Sequence, residues 1–177
     1  LEGEDFAKII PNKAIHAIKQ VVEATETFTL TIGETFVEVD ASGGTLRTKL
    51  IEGTFPNWRQ VMPGKAENVV TIEREPLLAA VKRVGLLANE KTNAIKIEIE
   101  PGLFSVSSIS PEIGEASETV PCQCEFSEAA ALNPVFLQQC LSSLTNPILE
   151  VGFRGEGSPI TIADDGFEYV LMPMRAN

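Results

Sequence analysis

Histidine and cysteine are scarce in this sequence, which limits the chemistry that it can perform. His16 is the single histidine among 177 residues, and the cysteines number three. One histidine excludes a metal site built from several histidines. An odd cysteine count provides no disulfide framework and suits a reducing cytosol. Cys122 and Cys124 stand too close for the usual zinc spacing, so we interpret them as small apolar residues in or beside a strand.

Long apolar runs and targeting signals are also missing. No stretch approaches the roughly 20 apolar residues that span a bilayer, and no signal-peptide pattern opens the sequence. We therefore expect a cytoplasmic protein. Hydrophobic residues make up 44% of the chain, which is enough for a sizeable core and too much for a disordered tail. Because the chain begins at Leu1 in the middle of a pattern, we expect a fragment of a longer protein.

Basic residues are outnumbered, with 14 Lys and Arg against 25 Asp and Glu and a net charge of −11. A compact DNA-binding domain usually shows the opposite balance. The overall charge therefore argues against a nucleic-acid partner, unless the two signs occupy different faces of the folded molecule.

A pattern of one extended segment, one amphipathic helix and three alternating strands occurs three times along the chain. Each helix is predicted to begin at a proline, whose missing N–H is harmless in a first turn: Pro11, Pro76 and Pro134. The predicted helices cover residues 13–22, 76–89 and 134–144. One helix and three strands per unit predict an α+β fold, with helices gathered on one face of antiparallel sheets.

Period-two alternation predicts the strands, and short apolar segments precede each helix. The lead-in segments are residues 7–10, 69–72 and 129–132. The strands are residues 28–32, 37–39 and 46–50 in the first unit, 95–99, 104–106 and 115–120 in the second, and 148–153, 159–162 and 167–172 in the third. The first helix carries an apolar stripe formed by Ala14, Ile15, Ile18, Val21 and Val22.

The predicted helices contain no Asp or Glu. Their exposed positions carry Lys, Arg, Gln and Ser, and the basic side chains among them are Lys13, Lys19, Lys82 and Arg83. A neutral to basic helical face can lie near a polyanion while the acidic remainder repels it. Its contacts would go to phosphates and would not read base sequence. The alternative, that surface helices are basic without any nucleic-acid partner, stays open on this pattern alone.

Four collinear segments resemble the bacterial sliding clamp, the β subunit of DNA polymerase III. Residues 49–63, KLIEGTFPNWRQVMP, resemble that family's K-L-I-[E/D]-G-x-F-P-x-[Y/W]-x-x-V-[I/L/M]-P segment. Residues 86–91, LLANEK, are similar to its L-L-S-N-E-K at the end of a helix. Residues 110–118 are similar to its acidic N-P-E-x-x-E-A-x-E segment, and residues 169–175, YVLMPMR, resemble its C-terminal Y-V-[V/L]-M-P-M-R.

The resemblance implies a DNA-clamp fold, in which every domain contains two αβββ units. It implies that residues 1–66 form the second half of the middle domain and residues 67–177 the third domain. Six domains from two chains would form a ring around duplex DNA, acting as a non-catalytic processivity clamp of replication without a cofactor. Lys13, Lys19, Lys82 and Arg83 are then the expected DNA-facing residues.

Members of this family also bind short peptides of polymerases and repair proteins in a hydrophobic cleft between the middle and third domains. Gln60 stands where relatives often have a basic residue, so no charge contact is expected there. The middle-domain D-G-H-R segment that forms one wall has no counterpart in this chain, so weaker peptide binding is expected than in a full-length clamp. The positions that match the cleft are Pro56, Gln60, Val61, Gly157, Pro159, Val170, Leu171, Met172, Pro173, Met174 and Arg175.

Ring closure in the family joins the third domain of one chain to the first domain of the other. Leu86 and Leu87 match the apolar part of that contact, and Glu112, Glu115 and Glu118 match its acidic part. The partner domain has no counterpart in these 177 residues, so we expect a monomer in dilute solution and a homodimeric ring for the full-length protein. The expected partners are duplex DNA, the polymerase III catalytic subunit, the clamp loader and other proteins with clamp-binding peptides.

Two other functions stay open. Asp164 with Asp165, or Glu112 with Glu115, could hold a metal or exchange protons in an enzyme. However, Asp-Asp-Gly at 164–166 is typical of a hairpin turn, and no Gly-rich phosphate loop or nucleophile motif is present. The second alternative is a repeat-built peptide-binding scaffold that never touches DNA.

Overall fold

The computed structural model describes residues 7–88, 94–164 and 166–174. They fall into two compact units, Leu1–Trp58 and Arg59–Asn177. No helix within the described ranges is long and apolar enough to cross a bilayer.

From residue 7 onward, the first unit forms one helix and a three-stranded antiparallel sheet. Helix α1 spans Asn12–Glu23, and strands β1 (Phe28–Ile32), β2 (Phe36–Ala41) and β3 (Gly44–Lys49) pair in the order β1-β2-β3. Pro11 occupies the N-cap of α1, as the sequence predicted. The lead-in segment forms only a single bridge, between Ile9 and Ile51.

The apolar face of the first unit is only partly covered. Val37 and Val39 on the central strand are buried, whereas Phe28, Leu30 and Ile32 on β1 remain exposed. None of the residues of α1 is buried. The predicted apolar stripe of α1 is therefore present, but it lacks the cover that would bury it within this unit.

The described residues of the second unit form two helices and eight strands. A short 3-10 turn at Trp58–Gln60 lies at its beginning. The elements that follow are β4 (Asn68–Glu73), α2 (Arg74–Gly85), β5 (Ile95–Glu100), β6 (Leu103–Ser110), β7 (Gly114–Gln123), β8 (Glu128–Leu132), α3 (Pro134–Ser143), β9 (Ile148–Phe153), β10 (Ile160–Asp164) and β11 (Phe167–Leu171). All strand pairs are antiparallel, which confirms the predicted α+β class.

The two repeats of this unit exchange their lead-in strands. The sheet order is β11-β10-β9-β4-β7-β6-β5-β8. Strand β4, the lead-in of one repeat, pairs along its length with β9 of the other repeat. In return β8, the lead-in of the second repeat, pairs with β5 of the first. Each repeat thus completes the sheet of its neighbour.

One core lies between this sheet and both helices. Val81 and Val84 of α2 and Leu137 and Leu141 of α3 belong to the same buried cluster as the inward side chains of the strands. Cys122 and Cys124 pack against the edge of that cluster, which confirms their interpretation as small apolar residues. Burial raises the pKa of the Cys122 thiol to about 11, and the neighbouring Cys124 adds to this shift.

Two predicted helix boundaries were wrong. Helix α2 begins at Arg74 rather than at Pro76, and it ends at Gly85, well before the predicted end at Asn89, which lies outside the described residues. Pro76 is tolerated inside the first turn because the N–H groups there have no intrahelical partner. Helix α1 also runs one residue past its predicted end, so neither α1 nor α2 is free of acids. Glu23 closes α1, where it pairs with Lys19 at 3.6 Å, and Glu75 lies in the first turn of α2, paired with Arg74.

Candidate functional site

The side chain of Arg154 joins two chain segments that carry predicted cleft residues, and the C-terminal strand lies beside one of them. Strands β10 and β11 pair so that Ile160 faces Leu171, which brings the loop at residues 154–159 beside the C-terminal strand. One guanidinium nitrogen of Arg154, Nη1, donates to the carbonyl of Pro159 at 3.2 Å. The other, Nη2, donates to the carbonyl of Gly64, three residues after Val61.

Gly152 in β9 allows the segment before β4 to lie close to the sheet. The side chain of an alanine at Gly152 would place its Cβ 2.6 Å from the Cβ of Ala66 and 2.6 Å from Oγ1 of Thr161. Only a residue without Cβ lets the segment before β4 lie directly on the β9–β10 pair. Residues 64–66 are therefore anchored on the strands that lead to Gly157 and Pro159.

The predicted cleft residues divide into an exposed apolar surface and its support. Val61 is 70% exposed and Met172 is 63% exposed. Val170, Pro173 and Met174 are half-buried. The remaining residues of the set are the exposed Gln60 and Gly157 and the half-buried Pro159.

Three members of the predicted set stand apart. Leu171 is buried in the core cluster, so it supports the surface from beneath instead of facing a ligand. Pro56 belongs to the first unit, where it is exposed and its carbonyl accepts a 2.8 Å hydrogen bond from the Trp58 N–H. Arg175 lies outside the described residues.

Two further apolar side chains belong to this end of the unit and were missed from the sequence. The Met174 N–H donates to the carbonyl of Ala131 at 2.7 Å, which brings the C-terminal segment to the start of α3. There Asn133 caps the helix by accepting from the Val135 N–H at 2.9 Å, and Val135 and Phe136 point outward, Phe136 with 54% exposure. Their position off the buried stripe of α3 is the signal that could have identified them.

The predicted DNA-facing residues differ in their electrostatic environment. Lys13, Lys19 and Lys82 are exposed, and Lys82 has no ion-pair partner among the described residues. Arg83, in contrast, makes two hydrogen bonds of 2.5 Å to the carboxylate of Glu118, one from Nε and one from Nη2. This pair raises the pKa of Arg83, chiefly through the hydrogen bond, and for the same reason it lowers the pKa of Glu118.

The structure also links the two predicted parts of the ring contact. Glu118 approaches the last turn of α2 through Arg83, and Leu86 follows directly after that helix with 80% exposure. Leu87 is half-buried, while Glu112 and Glu115 are exposed near the tip of the β6–β7 hairpin. Two isoleucines that sequence reasoning missed, Ile109 and Ile113, are exposed at the same tip. The segment thus combines acidic and apolar groups.

Of the carboxylates considered as enzymatic groups, Asp164 has a structural role. Asp164 ends β10, and its Oδ2 accepts from the backbone N–H groups of Thr145 and Asn146 at 2.7 and 3.1 Å. Gly166 has a φ of 71°, as the predicted hairpin turn requires, and Asp165 between them lies outside the described residues. Within the described ranges no three His, Cys, Asp or Glu side chains form a group that could hold a metal ion.

Comparisons with known proteins match this chain along nearly its whole length. The model of the C-terminal domain of the DNA polymerase III beta subunit matches residues 59–175. The beta sliding clamp of Treponema pallidum is 32% identical over 176 residues, and that of Caulobacter vibrioides is 28% identical over 172 residues. Each alignment covers 94% of this chain, but only 47% and 46% of the relatives. The chain therefore spans about half the length of these curated relatives.

A solved structure agrees with these relatives. The beta sliding clamp of Caulobacter crescentus superimposes with a TM-score of 0.85 and 27% sequence identity, covering 96% of this chain and 47% of the clamp chain. The arrangement of helices and antiparallel sheets described above is therefore the arrangement found in part of a sliding clamp.

Proposed function

Because the chain belongs to the DNA polymerase III beta-subunit family, we propose that it acts as part of a processivity clamp of DNA replication. In this role residues 67–177 are the third clamp domain and residues 1–66 are the second half of the middle domain. The division of the chain into units after Trp58 and the family match from residue 59 support two such parts, with the division between residues 58 and 59 rather than between 66 and 67. The protein would be a non-catalytic subunit without a cofactor, located in the cytoplasm at the replisome.

The clamp would encircle duplex DNA as a homodimeric ring and contact its phosphates through weak, solvated cations. The exposed lysines Lys13, Lys19 and Lys82 suit this role, because mobile ammonium groups hold no fixed geometry that would read bases. Arg83 suits it less well, since Glu118 already neutralises its charge, and the charge of Lys19 is partly offset by Glu23 at 3.6 Å. The acidic remainder of the chain keeps DNA from binding elsewhere on the surface.

A matched pair of variants tests the DNA contact in the full-length ring. Loss of one phosphate contact reduces the slope of log K against log salt by about 0.9 for duplex DNA. We expect Lys82→Gln to show this reduction and Arg83→Gln to show a smaller one, measured by anisotropy of a labelled duplex at several salt concentrations. If neither the wild type nor the variants bind DNA at low salt, the peptide-binding scaffold without DNA contact replaces the clamp as the proposed function.

The apolar surface around Val61, Met172 and Phe136 is proposed as part of the cleft for partner peptides. Each of these apolar side chains is more than half exposed, a contiguous exposed apolar patch marks an interaction site, and methionine adapts to irregular apolar shapes. The partners would be the polymerase III catalytic subunit, the clamp loader and other proteins with clamp-binding peptides. The observation that carries this proposal is that Arg154 and the Met174–Ala131 bridge bring the exposed segments to one end of the unit.

A charge placed on this surface tests the proposal. Val61→Glu buries an unpaired carboxylate under any bound apolar peptide, so we expect at least about tenfold weaker binding. Ile113→Glu is the matched control, because Ile113 is 68% exposed but lies at the tip of the β6–β7 hairpin. The assay is a fluorescence titration with a labelled clamp-binding peptide of a bacterial polymerase III catalytic subunit. Equal binding by Val61→Glu and the wild type would contradict the site.

The group formed by the exposed Leu86, Glu112 and Glu115 and the half-buried Leu87 and Glu118 is proposed as the ring contact. A first clamp domain of another chain would have to supply the complementary surface. We accordingly expect the 177-residue chain to be a monomer in dilute solution, which light scattering measures.

A further inference from the structure

We propose that Arg154 is a positioning residue of the peptide site, which holds the segment of Val61 against the β9–β10 loop. The inference rests on the peptide-binding function proposed above. Arg154 follows directly after β9 and is half-buried. Its guanidinium donates to the carbonyls of Gly64 and Pro159, and its Nη1 also lies 3.4 Å from Oγ1 of Thr161.

The loop that Arg154 holds has little structure of its own. Gly155 and Gly157 have positive φ values of 89° and 73°, a region in which glycine is free and other residues are strained. Within the loop, one backbone hydrogen bond, from the Ser158 N–H to the Gly155 carbonyl at 3.1 Å, restrains the chain. The contact of Arg154 with the Pro159 carbonyl is therefore a main restraint on the shape of this loop, which forms one wall of the proposed peptide site.

The segment that carries Val61, residues 61–67, also depends on contacts with other parts of the unit. Residues 61–67 form neither helix nor strand between the 3-10 turn and β4. Val61 is 70% exposed and follows the 3-10 turn directly, and beyond it the chain is held at Gly64, bound by Arg154, and at Ala66, seated on Gly152. A peptide that binds two preordered walls avoids the entropic cost of ordering them. Arg154 would thus favour binding without touching the ligand.

A pair of arginines allows this role to be separated from a general effect on stability. Arg154→Met keeps the aliphatic stem and removes every donor, while Arg154→Lys keeps the charge but cannot reach two carbonyls with one compact ammonium. Arg74→Met is the matched control. Arg74 is also half-buried, with a buried Nε that lacks a partner and an Nη1 that donates to a carbonyl, that of Leu141 at 3.2 Å.

Two measurements on the 177-residue chain distinguish the outcomes. Loss of hydrogen bonds from a charged donor to the two carbonyls should weaken peptide binding about tenfold in Arg154→Met, less in Arg154→Lys. Amide hydrogen exchange should accelerate in residues 61–66 and 155–159 of Arg154→Met, with the sheet core unchanged. Arg74→Met should bind the peptide like the wild type and show normal exchange in both segments.

The inference is overturned if Arg154→Met binds the peptide as tightly as the wild type, or if Arg74→Met loses as much affinity. Unchanged exchange in both segments would overturn it as well, because the walls would then be ordered without Arg154. A wild-type chain that fails to bind the peptide at all refutes the proposed cleft itself, and with it any role of Arg154 in binding. The wild-type titration therefore separates the failure of the function from the failure of the inference.

Discussion

Replacing Gly152 by alanine should destabilise the second unit and displace residues 64–66, which lie on β9 next to the candidate site. Gly152 lies in β9 between Val69 of β4 and Thr161 of β10. The added Cβ would approach Ala66 Cβ and Thr161 Oγ1 to 2.6 Å each, whereas ordinary contacts begin at 3.4 Å, so each neighbour must retreat by about 0.8 Å. Overpacking of this kind costs about 1–3 kcal/mol, which exceeds the roughly 0.5–1 kcal/mol that alanine gains over glycine within a strand.

We therefore expect Gly152→Ala to lower the free energy of unfolding by about 1–2 kcal/mol. Chemical denaturation followed by circular dichroism measures this as a lower midpoint at unchanged slope. Gly64→Ala is the control, because nothing lies within 4 Å of the point that an added Cβ would occupy there, and it should stay within about 0.5 kcal/mol of the wild type.

A double variant shows whether the contact with Ala66 is the cause. Adding Ala66→Gly to Gly152→Ala removes one of the two clashes, so part of the lost stability should return, although Ala66→Gly alone is expected to destabilise. The reasoning is refuted if Gly152→Ala is as stable as the wild type, or if the two substitutions are simply additive. Additivity would mean that the segment before β4 does not press on β9.

Three further predictions concern local contacts. Asp164→Ala should cost about 1–3 kcal/mol in chemical denaturation, because the N–H groups of Thr145 and Asn146 lose their charged acceptor. Asn133→Ala should cost about 1 kcal/mol by removing the side-chain cap of α3, and Asn133→Ser should recover most of it. Burial raises the pKa of Cys140 from 9.0 to about 12, so the unfolded chain loses that proton first as the pH rises. The free energy of unfolding should therefore fall between about pH 9 and 12. In Cys140→Ala this fall should be smaller over the same pH range, whatever the stability of the variant at neutral pH.

Elements with a strong pattern could be predicted from the sequence. Strand β9 was predicted at residues 148–153 and spans Ile148–Phe153, and the alternation of Ile95, Ile97 and Ile99 correctly placed three buried side chains in β5. Helix α2 shows the limit of such reasoning. Proline at the third helical position looks like a start signal, but the chain enters the helix directly from β4, because the sheet fixes its direction two residues earlier.

The candidate site was only partly predictable because its exposed side chains depend on long-range contacts. The run Val170–Met172 reads as uniformly apolar, yet the pairing of β11 with β10 buries Leu171 and leaves Met172 exposed. The contact of Arg154 with Gly64 joins residues 90 positions apart, and no local sequence pattern predicts it. In the same way, the pairing of Arg83 with Glu118 neutralises a cation that looked available in the sequence.

The exchange of lead-in strands has a consequence for how the second unit folds. Val69 pairs with Gly152, and the whole β4–β9 ladder joins segments that are far apart in sequence. Contacts of such long range form slowly, because the entropy of closing a large loop is lost before any hydrogen bond compensates for it. During synthesis β4 must wait until β9 has left the ribosome, and its free N–H and C=O groups stay available to other chains until then. Aggregation of nascent chains should accordingly be most severe when translation stalls between β8 and β9.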